Sequence, residues 1–451
     1  MTSDSVHLSD VANIQGGFAF KSSDFQSDGV AVVKIANIQP PFVSLSKVDR
    51  VANEKLTTLD RFRLNDGDIL MAMTGATVGK VGRFKETEPA YLNQRVARIN
   101  AKRGPQFDDF IYAIVSQPRF DELIEGASAG SAQANISAAG IGSVLIPRIS
   151  DADQLVIGET ARSIDDRITL LRETNKTLEA IAQDLFKSWF VDFDPVRAKT
   201  EGKLPEGMNE ATAALFPDTF EQSELGEIPK GWKLTPFEDL LNLTIGGDWG
   251  DDFSNEQNNI RVAIIRGTDI PNLKSCVNNA VPIRYTSQKK LDTRKLKDGD
   301  IVIEVSGGTK NQPTGRSLYI SNSLIKQFDC PVAPASFCRL MRPKTSELGI
   351  LLSQHLTYIY EQGNTWKYQI QSTGIANFQT TYFLKKELVT VPSTEILNKF
   401  SEIIQPLIHS TQLSKIQHLT ELRDTLLPQL ISGKIRLPDI EEINNKTMVN
   451  A

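Results

Sequence analysis

The stretch LNDGDIL at Leu64–Leu70 recurs as LKDGDIV at Leu296–Val302, and this pair guides the interpretation of the whole chain. An earlier stretch, VVKIANI at Val32–Ile38, returns with the same separation as IIRGTDI at Ile264–Ile270. A D-G pair alone is common in hairpin turns, so a single match carries little weight. An ordered series of matches at a constant separation indicates a duplicated unit.

The series of matches continues in the same order along both copies, although the separation drifts slightly, as loop insertions would cause. Thr74-Gly75 matches Ser306-Gly307, ANI at Ala134–Ile136 matches ANF at Ala376–Phe378, and VLIP at Val144–Pro147 matches VTVP at Val389–Pro392. Each copy combines short strands and Gly/Pro turns with a helix, predicted at Phe107–Ile124 and at Leu348–Tyr360. The expected fold class is therefore α+β with two duplicated domains, rather than a doubly wound sheet.

A long helix is predicted to follow each copy. Apolar residues recur there at spacings of three and four, which is typical of a coiled-coil seam. The seam residues are Ile164, Ile168, Leu171, Leu178, Leu185 and Trp189 in the first helix, and Ile416, Leu419, Leu422, Leu426 and Leu430 in the second. Pro428 should end or kink the second helix, because proline removes a backbone hydrogen bond.

Neither helix can bury its seam alone, and two arrangements are open. Each helix could pack on its own domain, or the two helices could pack on each other as an antiparallel coiled coil between domains related by a pseudo-two-fold axis. We favour the second arrangement because both seams are long and narrow. Asn175 falls in the first seam, where it either fixes the register or faces solvent at a frayed edge.

The composition is that of a soluble protein with more than one domain. The chain has 451 residues, of which 40% are hydrophobic and 23% charged, and it is too long for one ordinary core. We expect an intracellular protein without a secretory signal or membrane span. The three cysteines (Cys276, Cys330 and Cys338) form no C-x-x-C pair, so we expect neither a zinc site nor a disulfide framework. The net charge of −5 counts mildly against nucleic-acid binding, unless basic loops gather on one face.

The sequence contains none of the common catalytic motifs. Walker A, HExxH and G-x-S-x-G patterns are all missing, as is the N-P-P-[FY] motif of amino-methyltransferases. The stretch Gly75–Val81 comes nearest to a phosphate-binding loop but lacks its spacing. We therefore favour binding over catalysis and assign neither a catalytic residue nor a metal ligand.

The loops that follow the strands carry side chains suited to DNA. Arg pairs bidentately with guanine, Asn and Gln pair with adenine, and Lys neutralises phosphate. The candidates in the first copy are Lys21, Lys34, Thr74, Gly75, Thr77, Lys80, Arg83, Asn93, Gln94, Arg95, Gln133 and Asn135. Those in the second copy are Arg266, Thr268, Ser306, Gly307, Thr309, Lys310, Arg316, Lys367, Gln369 and Asn377. Each residue alone is compatible with an ordinary solvated surface, but the set repeated in both copies favours a binding face.

Four stretches resemble the specificity subunits of type I restriction–modification enzymes. They are LEAIAQDLFKSWFVDFDP at Leu178–Pro195, AALFP at Ala213–Pro217, SELGEIPKGW at Ser223–Trp232 and LRDTLLPQLISG at Leu422–Gly433. The resemblance implies target-recognition domains at 1–150 and 232–392, helical spacers at 151–192 and 393–433, a linker at 193–231 and a polar tail at 434–451. Each domain would read one half of a bipartite site in double-stranded DNA.

The resemblance also implies partners that supply the chemistry. The spacers would set the distance between the half-sites and dock two methylation subunits, which bind S-adenosylmethionine. Restriction subunits would use ATP and Mg, while this chain would be a cytoplasmic, non-catalytic subunit with no cofactor and no membrane. The loops differ between the copies, at Thr74–Lys80 and Ser306–Gln312, which implies two different half-sites.

Two other classes of function remain as alternatives. One is a duplicated protein-interaction scaffold without DNA binding, and a steep salt dependence of duplex binding would argue against it. The other is an enzyme with an unfamiliar site, such as a nuclease, which would be active as the isolated chain with a metal. If DNA is the ligand, Arg95→Ala should alter one half-site and Arg316→Ala the other.

Overall fold

The repeated turn that guided the sequence interpretation adopts one conformation in both copies. Gly67 and Gly299 both have φ of +87°, a backbone conformation that favours glycine. The next residues, Asp68 and Asp300, are buried. Each carboxylate accepts the backbone N–H three residues earlier, at 2.9 and 2.7 Å. The turn is therefore held by its own aspartate in each copy.

The computed structural model describes residues 5–127, 135–224, 226–274, 281–308, 312–372 and 375–435. The chain divides into unit 1, made of Met1–Arg167 with Leu419–Ala451, and unit 2, made of Ile168–His418. The first copy, called the first module (1–150), lies in unit 1. The second copy, called the second module (232–392), lies in unit 2.

The first module is built from short strands and helices. Its strands are β1 (Ser5–His7), β2 (Ala12–Gly16), β3 (Phe25–Gln26), β4 (Val30–Val33), β5 (Ile38–Gln39), β6 (Phe42–Val43), β7 (Asp49–Val51), β8 (Ile69–Ala72), β9 (Val81–Arg83), β10 (Ala90–Leu92), β11 (Val96–Ala101) and β12 (Leu145–Pro147). Its helices are α1 (Leu8–Val11), α2 (Asp108–Val115), α3 (Pro118–Ala127) and α4 (Ala138–Gly142), followed by the long α5 (Asp151–Phe190).

Unit 2 contains the linker, the second module and the start of the C-terminal region. Its strands are β13 (Phe220–Ser223), β14 (Gly226–Pro229), β15 (Lys233–Pro236), β16 (Leu241–Gly246), β17 (Ile260–Ile265), β18 (Ile283–Thr286), β19 (Ile301–Glu304), β20 (Ser306–Gly308), β21 (Ser317–Tyr319), β22 (Val332–Pro334), β23 (Cys338–Pro343), β24 (Gln369–Ser372), β25 (Ile375–Phe378) and β26 (Leu388–Val391). Its helices are α6 (Asp194–Thr200), α7 (Glu210–Leu215), α8 (Ile270–Lys274), α9 (Gln288–Arg294), α10 (Asn322–Ile325), α11 (Ser346–Glu361), α12 (Thr380–Lys386) and α13 (Thr394–Thr411), and α14 (Lys415–Ile431) continues into unit 1.

The strand pairings confirm the duplication and the α+β class. The order β2-β11-β8-β9 in the first module returns as β16-β23-β19-β21 in the second. The order β10-β4-β7 returns as β22-β17-β18, and its parallel pair, β10 with β4, returns as β22 with β17. The antiparallel pair β1–β12 likewise returns as β15–β26. The two modules therefore share one frame.

The central strand of each frame is buried on both faces. Ile69 and Met71 of β8 face one apolar cluster, while Leu70 and Ala72 face another. In β19 the same alternation places Ile301 and Ile303 in one cluster and Val302 in a second. Side chains alternate across a strand, so this apolar stretch ties two layers together in each module.

One predicted helix is broken and the other is confirmed. The stretch Phe107–Ile124 forms α2 and α3, because Pro118 has no N–H to continue α2 and instead begins a new helix. The second prediction, Leu348–Tyr360, lies within α11. Pro428 does not end α14, which continues to Ile431, and a kink at this residue stays a prediction. Pro428 lies in the last turn, where little of the helix remains to be disrupted.

Most predicted seam residues face inward along α5 and α14. Ile168, Trp189, Ile416 and Leu430 are buried, and Ile164, Leu171, Leu178, Leu185, Leu419 and Leu426 are half-buried. Leu422 is 51% exposed and does not belong to the seam. The helical phase turns Arg423 inward instead, and its guanidinium donates to Asp165 at 2.9 Å within unit 1.

The arrangement in which each long helix packs on its own module holds for the start of α5, where Ile157 and Ala161 join the cluster of the first module, but not for α14. Within unit 1, Leu427 and Leu430 join the apolar cluster of the first module, and within unit 2, Phe186 joins that of the second. Asn175 of α5 is half-buried and its amide donates to the Thr411 carbonyl at the end of α13, at 3.2 Å. Asn175 therefore does not lie at a frayed edge. The Asp165–Arg423 contact lies within unit 1 and the Asn175–Thr411 contact within unit 2, and in each of them the first long helix meets the C-terminal region.

Candidate nucleic-acid interface

Three predicted segments converge at one edge of the first module. The Met73 N–H donates to the Arg95 carbonyl at 3.0 Å, and the Met73 carbonyl accepts the Ile136 N–H at 2.9 Å. Thr74 and Asn135 form a bridge between their backbones. We call Thr74, Arg95 and Asn135 the first rim. The rim lies where β8 ends, beside the turn between β10 and β11.

The second module builds the same edge with different side chains. The Val305 N–H donates to the Phe337 carbonyl at 2.9 Å, and the Val305 carbonyl accepts the Phe378 N–H at 2.8 Å. The Ser306 hydroxyl donates to the Asn377 amide oxygen. We call Ser306, Phe337 and Asn377 the second rim. The frame thus brings the predicted Ser306 and Asn377 together and adds Phe337, which lies at the place of Arg95.

Several other predicted residues lie close to the first rim. Gln94 and Lys80 are exposed, and Thr77 donates its hydroxyl to the Thr74 carbonyl at 3.3 Å. Gly75 has φ of +75° and opens the short turn that contains Thr77. The Thr74 hydroxyl is buried, and in the described part of the chain it has no hydrogen-bond partner. Arg95 is exposed, and its backbone is fixed by the bond of its N–H to Asn93 and of its carbonyl to Met73.

Other predicted residues of the first module are engaged in internal contacts. Arg83 lies opposite Ile69, at the other end of β8 from the rim, where it pairs with Asp109 at 2.6 Å and stacks over Tyr112 at 4.2 Å. Burial lowers the pKa of Arg83, although Asp109 opposes this shift. We therefore leave Arg83 out of the rim.

The remaining predicted residues of the first module support its loops. Asn93 is buried, and its side-chain oxygen accepts the Arg95 N–H at 3.2 Å. Lys34 pairs with Asp49 at 2.5 Å and lies 3.5 Å above the Phe25 ring. Lys21 is exposed at the start of a short helical turn. Gln133 lies outside the described residues.

Arg316 is an internal ion-pair partner rather than a free recognition side chain. Its guanidinium binds Glu304 through two bonds, Nε to Oε2 at 2.8 Å and Nη2 to Oε1 at 2.5 Å. Glu304 is 1% exposed, and its hydrogen bond raises the pKa of Arg316. We therefore leave Arg316 out of the second rim and expect it to act in the stability of the module.

The other predicted residues of the second module have mixed roles. Arg266 pairs with Asp269 at 2.7 Å, and the Gln369 amide oxygen accepts the Thr314 N–H at 2.9 Å. Thr268, Gly307, Lys367 and Asn377 are exposed. Thr309 and Lys310 lie outside the described residues.

A buried carboxylate supports the segment that leads into the hairpin β24–β25. Glu387 accepts from Tyr368 Oη at 2.5 Å and lies 2.9 Å from His355 Nε2 and 3.2 Å from Lys367 Nζ. Burial works to raise the pKa of Glu387, but these partners outweigh it and lower the pKa to about 2. Lys367 is therefore an exposed side chain whose ammonium group pairs with Glu387.

The low pKa of Glu387 predicts acid sensitivity of the second module. Its ionised carboxylate stabilises the fold above the pKa of an unfolded glutamate, and this stabilisation is lost as the pH falls from about 5 to about 2. Its size is about 3 kcal/mol. We expect Glu387→Gln to melt at a lower temperature than the unaltered protein at pH 7. This difference in melting temperature should become smaller at pH 3. A temperature gap that stays constant from pH 7 to pH 3 would contradict this.

The sequence interpretation missed the aromatic side chains near the second rim. Phe253 is 82% exposed, Phe337 66% and Trp249 39%. Phe337 could have been found by carrying the repeat through the turn between β10 and β11, because that turn aligns it with Arg95. The described residues contain no cluster of His, Cys, Asp and Glu able to hold a metal. Among these same residues no helix is long and apolar enough to cross a membrane.

Comparison with known proteins identifies relatives for most of the chain. The family model described as type I restriction modification DNA specificity domain matches residues 2–180. The MjaIX type I restriction enzyme specificity subunit of Methanocaldococcus jannaschii is 22% identical over 408 residues, covering 88% of this chain and 85% of the relative. The HindI specificity subunit of Haemophilus influenzae is 27% identical over 328 residues, covering 60% of this chain and 65% of the relative.

A solved structure supports the fold over nearly the full length. The crystal structure of the S subunit of a type I restriction–modification system from M. genitalium aligns with a TM-score of 0.53 at 15% identity. The alignment covers 94% of this chain and 95% of that chain. None of these relatives is named as a protein-interaction scaffold, so that alternative gains no support.

Proposed function

We propose that the chain is a specificity subunit of a type I restriction–modification enzyme, a non-catalytic subunit that recognises the DNA sequence, and that its two rims read the two halves of an asymmetric target. The first rim would read one half-site with Thr74, Arg95 and Asn135. The second rim would read the other half-site with Ser306, Phe337 and Asn377. Side chains at such edges read bases, while nearby lysines position the duplex on its phosphates.

One observation carries this proposal: the two modules keep the same backbone bonds at the rim and differ in the side chains presented there. Met73 and Val305 make matching bonds to Arg95 and Phe337. A constant frame with variable side chains is what recognition of two different half-sites by one duplicated module requires. Two identical rims would instead favour a symmetric target.

We place the partners and the chemistry outside this chain. Two methylation subunits would bring S-adenosylmethionine, and restriction subunits would bring ATP and Mg, in a cytoplasmic complex on double-stranded DNA. The long helices α5 and α14 would set the number of base pairs between the half-sites. Leu170, Ile181 and Leu422 on these helices are each about half exposed, and apolar side chains of this kind suit docking of the methylation subunits.

Arg95→Ala is expected to alter recognition of one half-site and leave the other unchanged. A bidentate Arg contact with guanine discriminates by about 1–3 kcal/mol, so loss of the guanidinium should relax one base position. The measurement is sequencing of methylated DNA from cells that express each variant with the methylation subunits. Lys85→Ala serves as control, because Lys85 is an exposed basic residue at the end of the module away from the rim.

The result that supports the proposal is a broadened motif in one half-site for Arg95→Ala and the parent motif for Lys85→Ala. If both variants methylate the parent motif with equal efficiency, the first rim does not read bases. A uniform loss of methylation with no change of motif would assign Arg95 to phosphate rather than to a base.

A further inference from the structure

We propose that the second module contacts its half-site with an aromatic wedge, Phe337, at the place where the first module presents the guanidinium of Arg95. This inference rests on the proposed function and specifies how the second rim works. Phe337 would press its ring against a base step, while Ser306 and Asn377 beside it would offer polar groups to base edges. The two half-sites would then be recognised by different physical contacts on one frame.

The alignment of Phe337 with Arg95 follows from backbone bonds. The Asn93 N–H donates to the Val33 carbonyl at 3.2 Å, and the Ala335 N–H donates to the Ile265 carbonyl at 2.8 Å. Two residues later in each turn, the Arg95 and Phe337 carbonyls accept the N–H groups of Met73 and Val305, which lie at matching positions after β8 and β19. The two turns therefore place Arg95 and Phe337 at equivalent positions of the two modules.

The Phe337 ring has a larger exposed fraction than a side chain that supports the fold would have. It is 66% exposed, and it makes no ring–ring contact to the part of the chain that the structure describes. Cys338, the next residue, is fully buried and anchors the turn in the core. The buried Cys338 thus fixes the backbone next to the exposed ring. A ring that inserts between base pairs needs such a fixed support.

A second loop adds exposed aromatic surface beside this turn. The Asp248 N–H donates to the Pro334 carbonyl at 3.0 Å, which ties the loop that contains Trp249 and Phe253 to the strand before the turn. Arg284 stacks on Trp249 at 4.6 Å and donates to its carbonyl at 3.1 Å. The Arg284 guanidinium is largely buried and pairs with Asp252, so the loop presents its exposed rings, Trp249 and Phe253, rather than a free cation.

The equivalent loop of the first module turns its rings inward. Phe18 packs edge-on against Phe20 at 5.0 Å, and Phe20 is buried in the apolar cluster there. The same place in the frame thus buries aromatics in one module and exposes them in the other. The exposure of Phe253 and Trp249 in the second module therefore leaves two rings available for an external contact.

Base steps are the surface that such rings recognise. Apolar side chains inserted between base pairs unstack them, and pyrimidine–purine steps yield most easily. Contact between a ring and a base is worth about five- to 150-fold in affinity per base. The second half-site should accordingly contain a flexible step opposite Phe337.

The test uses the complex of the full chain with its methylation subunits and a duplex that carries the methylated motif. The probe is 2-aminopurine, placed in turn at adenine positions of each half-site, because its fluorescence rises when it is unstacked. We expect a rise at one step of the second half-site with the unaltered protein. Phe337→Ala should abolish that rise in fluorescence and weaken binding about ten-fold or more. Phe337→Leu should retain part of the rise in fluorescence and part of the affinity.

Salt dependence separates a ring contact from a charge contact. Phe337→Ala should leave the slope of log affinity against log salt unchanged, whereas Lys80→Ala, which removes an exposed lysine beside the first rim, should reduce the slope by about one. Tyr382→Ala is the matched control, since Tyr382 is an exposed aromatic side chain on α12. It should alter neither the affinity nor the fluorescence.

The outcomes distinguish this inference from the proposed function. If the unaltered complex binds the motif and Phe337→Ala has the same affinity and fluorescence, the wedge is excluded and the proposed function stands. If the unaltered complex does not prefer the motif to a scrambled duplex, the proposed function itself fails. If Phe337→Ala loses its methylation subunits during purification, the ring is a protein contact and the wedge is excluded.

Discussion

Replacing Arg316 with methionine is expected to lower the melting temperature of the second module by about 10 °C. The substitution leaves the Glu304 carboxylate buried without its partner. Breaking a buried ion pair from one side costs about 3–5 kcal/mol, because the remaining charge is neither solvated nor paired. The expected loss is therefore among the largest that a single change in this module can cause.

The surroundings of Glu304 leave it few ways to adapt. A Cβ built on Gly267 would lie 2.4 Å from Glu304 Oε1, so the backbone closes over the carboxylate. The carboxylate cannot turn to solvent without moving that loop. Because the loop also carries Thr268, the Arg316 variant should lose recognition of the second half-site only as a consequence of unfolding.

The first module supplies the matched control for this change. The Lys80 carbonyl accepts the Ala72 N–H at 3.0 Å, just as the Arg316 carbonyl accepts the Glu304 N–H at 2.8 Å. Lys80 is exposed and its strand neighbour is alanine rather than glutamate. Lys80→Met should therefore change stability little, and the double variant Arg316→Met with Glu304→Met should recover much of the loss. Calorimetry gives the melting temperature of each variant. If Arg316→Met lowers the melting temperature no more than Lys80→Met does, the ion pair does not stabilise the module.

Gly247→Ala is expected to destabilise the second module by about 3 kcal/mol, because its Cβ has no room. The Cβ would lie 2.1 Å from the Ala335 carbonyl oxygen and 2.3 Å from that of Pro334. Both atoms are backbone, so a strand and not a side chain must move. The Gly247 N–H also donates to the Cys338 carbonyl at 3.0 Å, which fixes the loop against the turn that carries Phe337.

The preceding glycine is the control for this prediction. A Cβ on Gly246 would have nothing within 4 Å, so Gly246→Ala should be close to neutral. The first module offers the same comparison, with Gly17 crowded by the Asn93 carbonyl at 2.3 Å and Gly16 in open space. Urea unfolding monitored by hydrogen exchange reports each module separately. Equal stability of the Gly247→Ala and Gly246→Ala proteins would show that the close approach is not needed.

Much of the fold could be predicted from the sequence, because it is encoded locally and then repeated. The D-G turns, the apolar strands after them and the helix at Leu348–Tyr360 all depend on nearby residues. The duplication adds long-range information, since each feature found in one copy is tested in the other. The convergence of Thr74 with Asn135 follows from this frame and not from any one motif.

The parts that could not be predicted depend on contacts between residues far apart in sequence. Nothing local distinguishes Arg316, which pairs with a buried carboxylate, from Arg95, which is exposed. Leu422 fits an apolar spacing, yet a small difference in helical phase turns Arg423 to the inner face. Phe337 has no polar group that would mark it as a contact with DNA, and a ring in a turn is ordinarily assigned to the core.

Sequencing of methylated DNA from cells that express the unaltered chain with its methylation subunits tests the central claim most directly. We expect one bipartite motif with two different specific halves separated by a gap of fixed length, which is missing from cells without this chain. A symmetric motif would contradict reading by two different rims. Methylation that does not depend on this chain would contradict its role as the subunit that recognises the sequence.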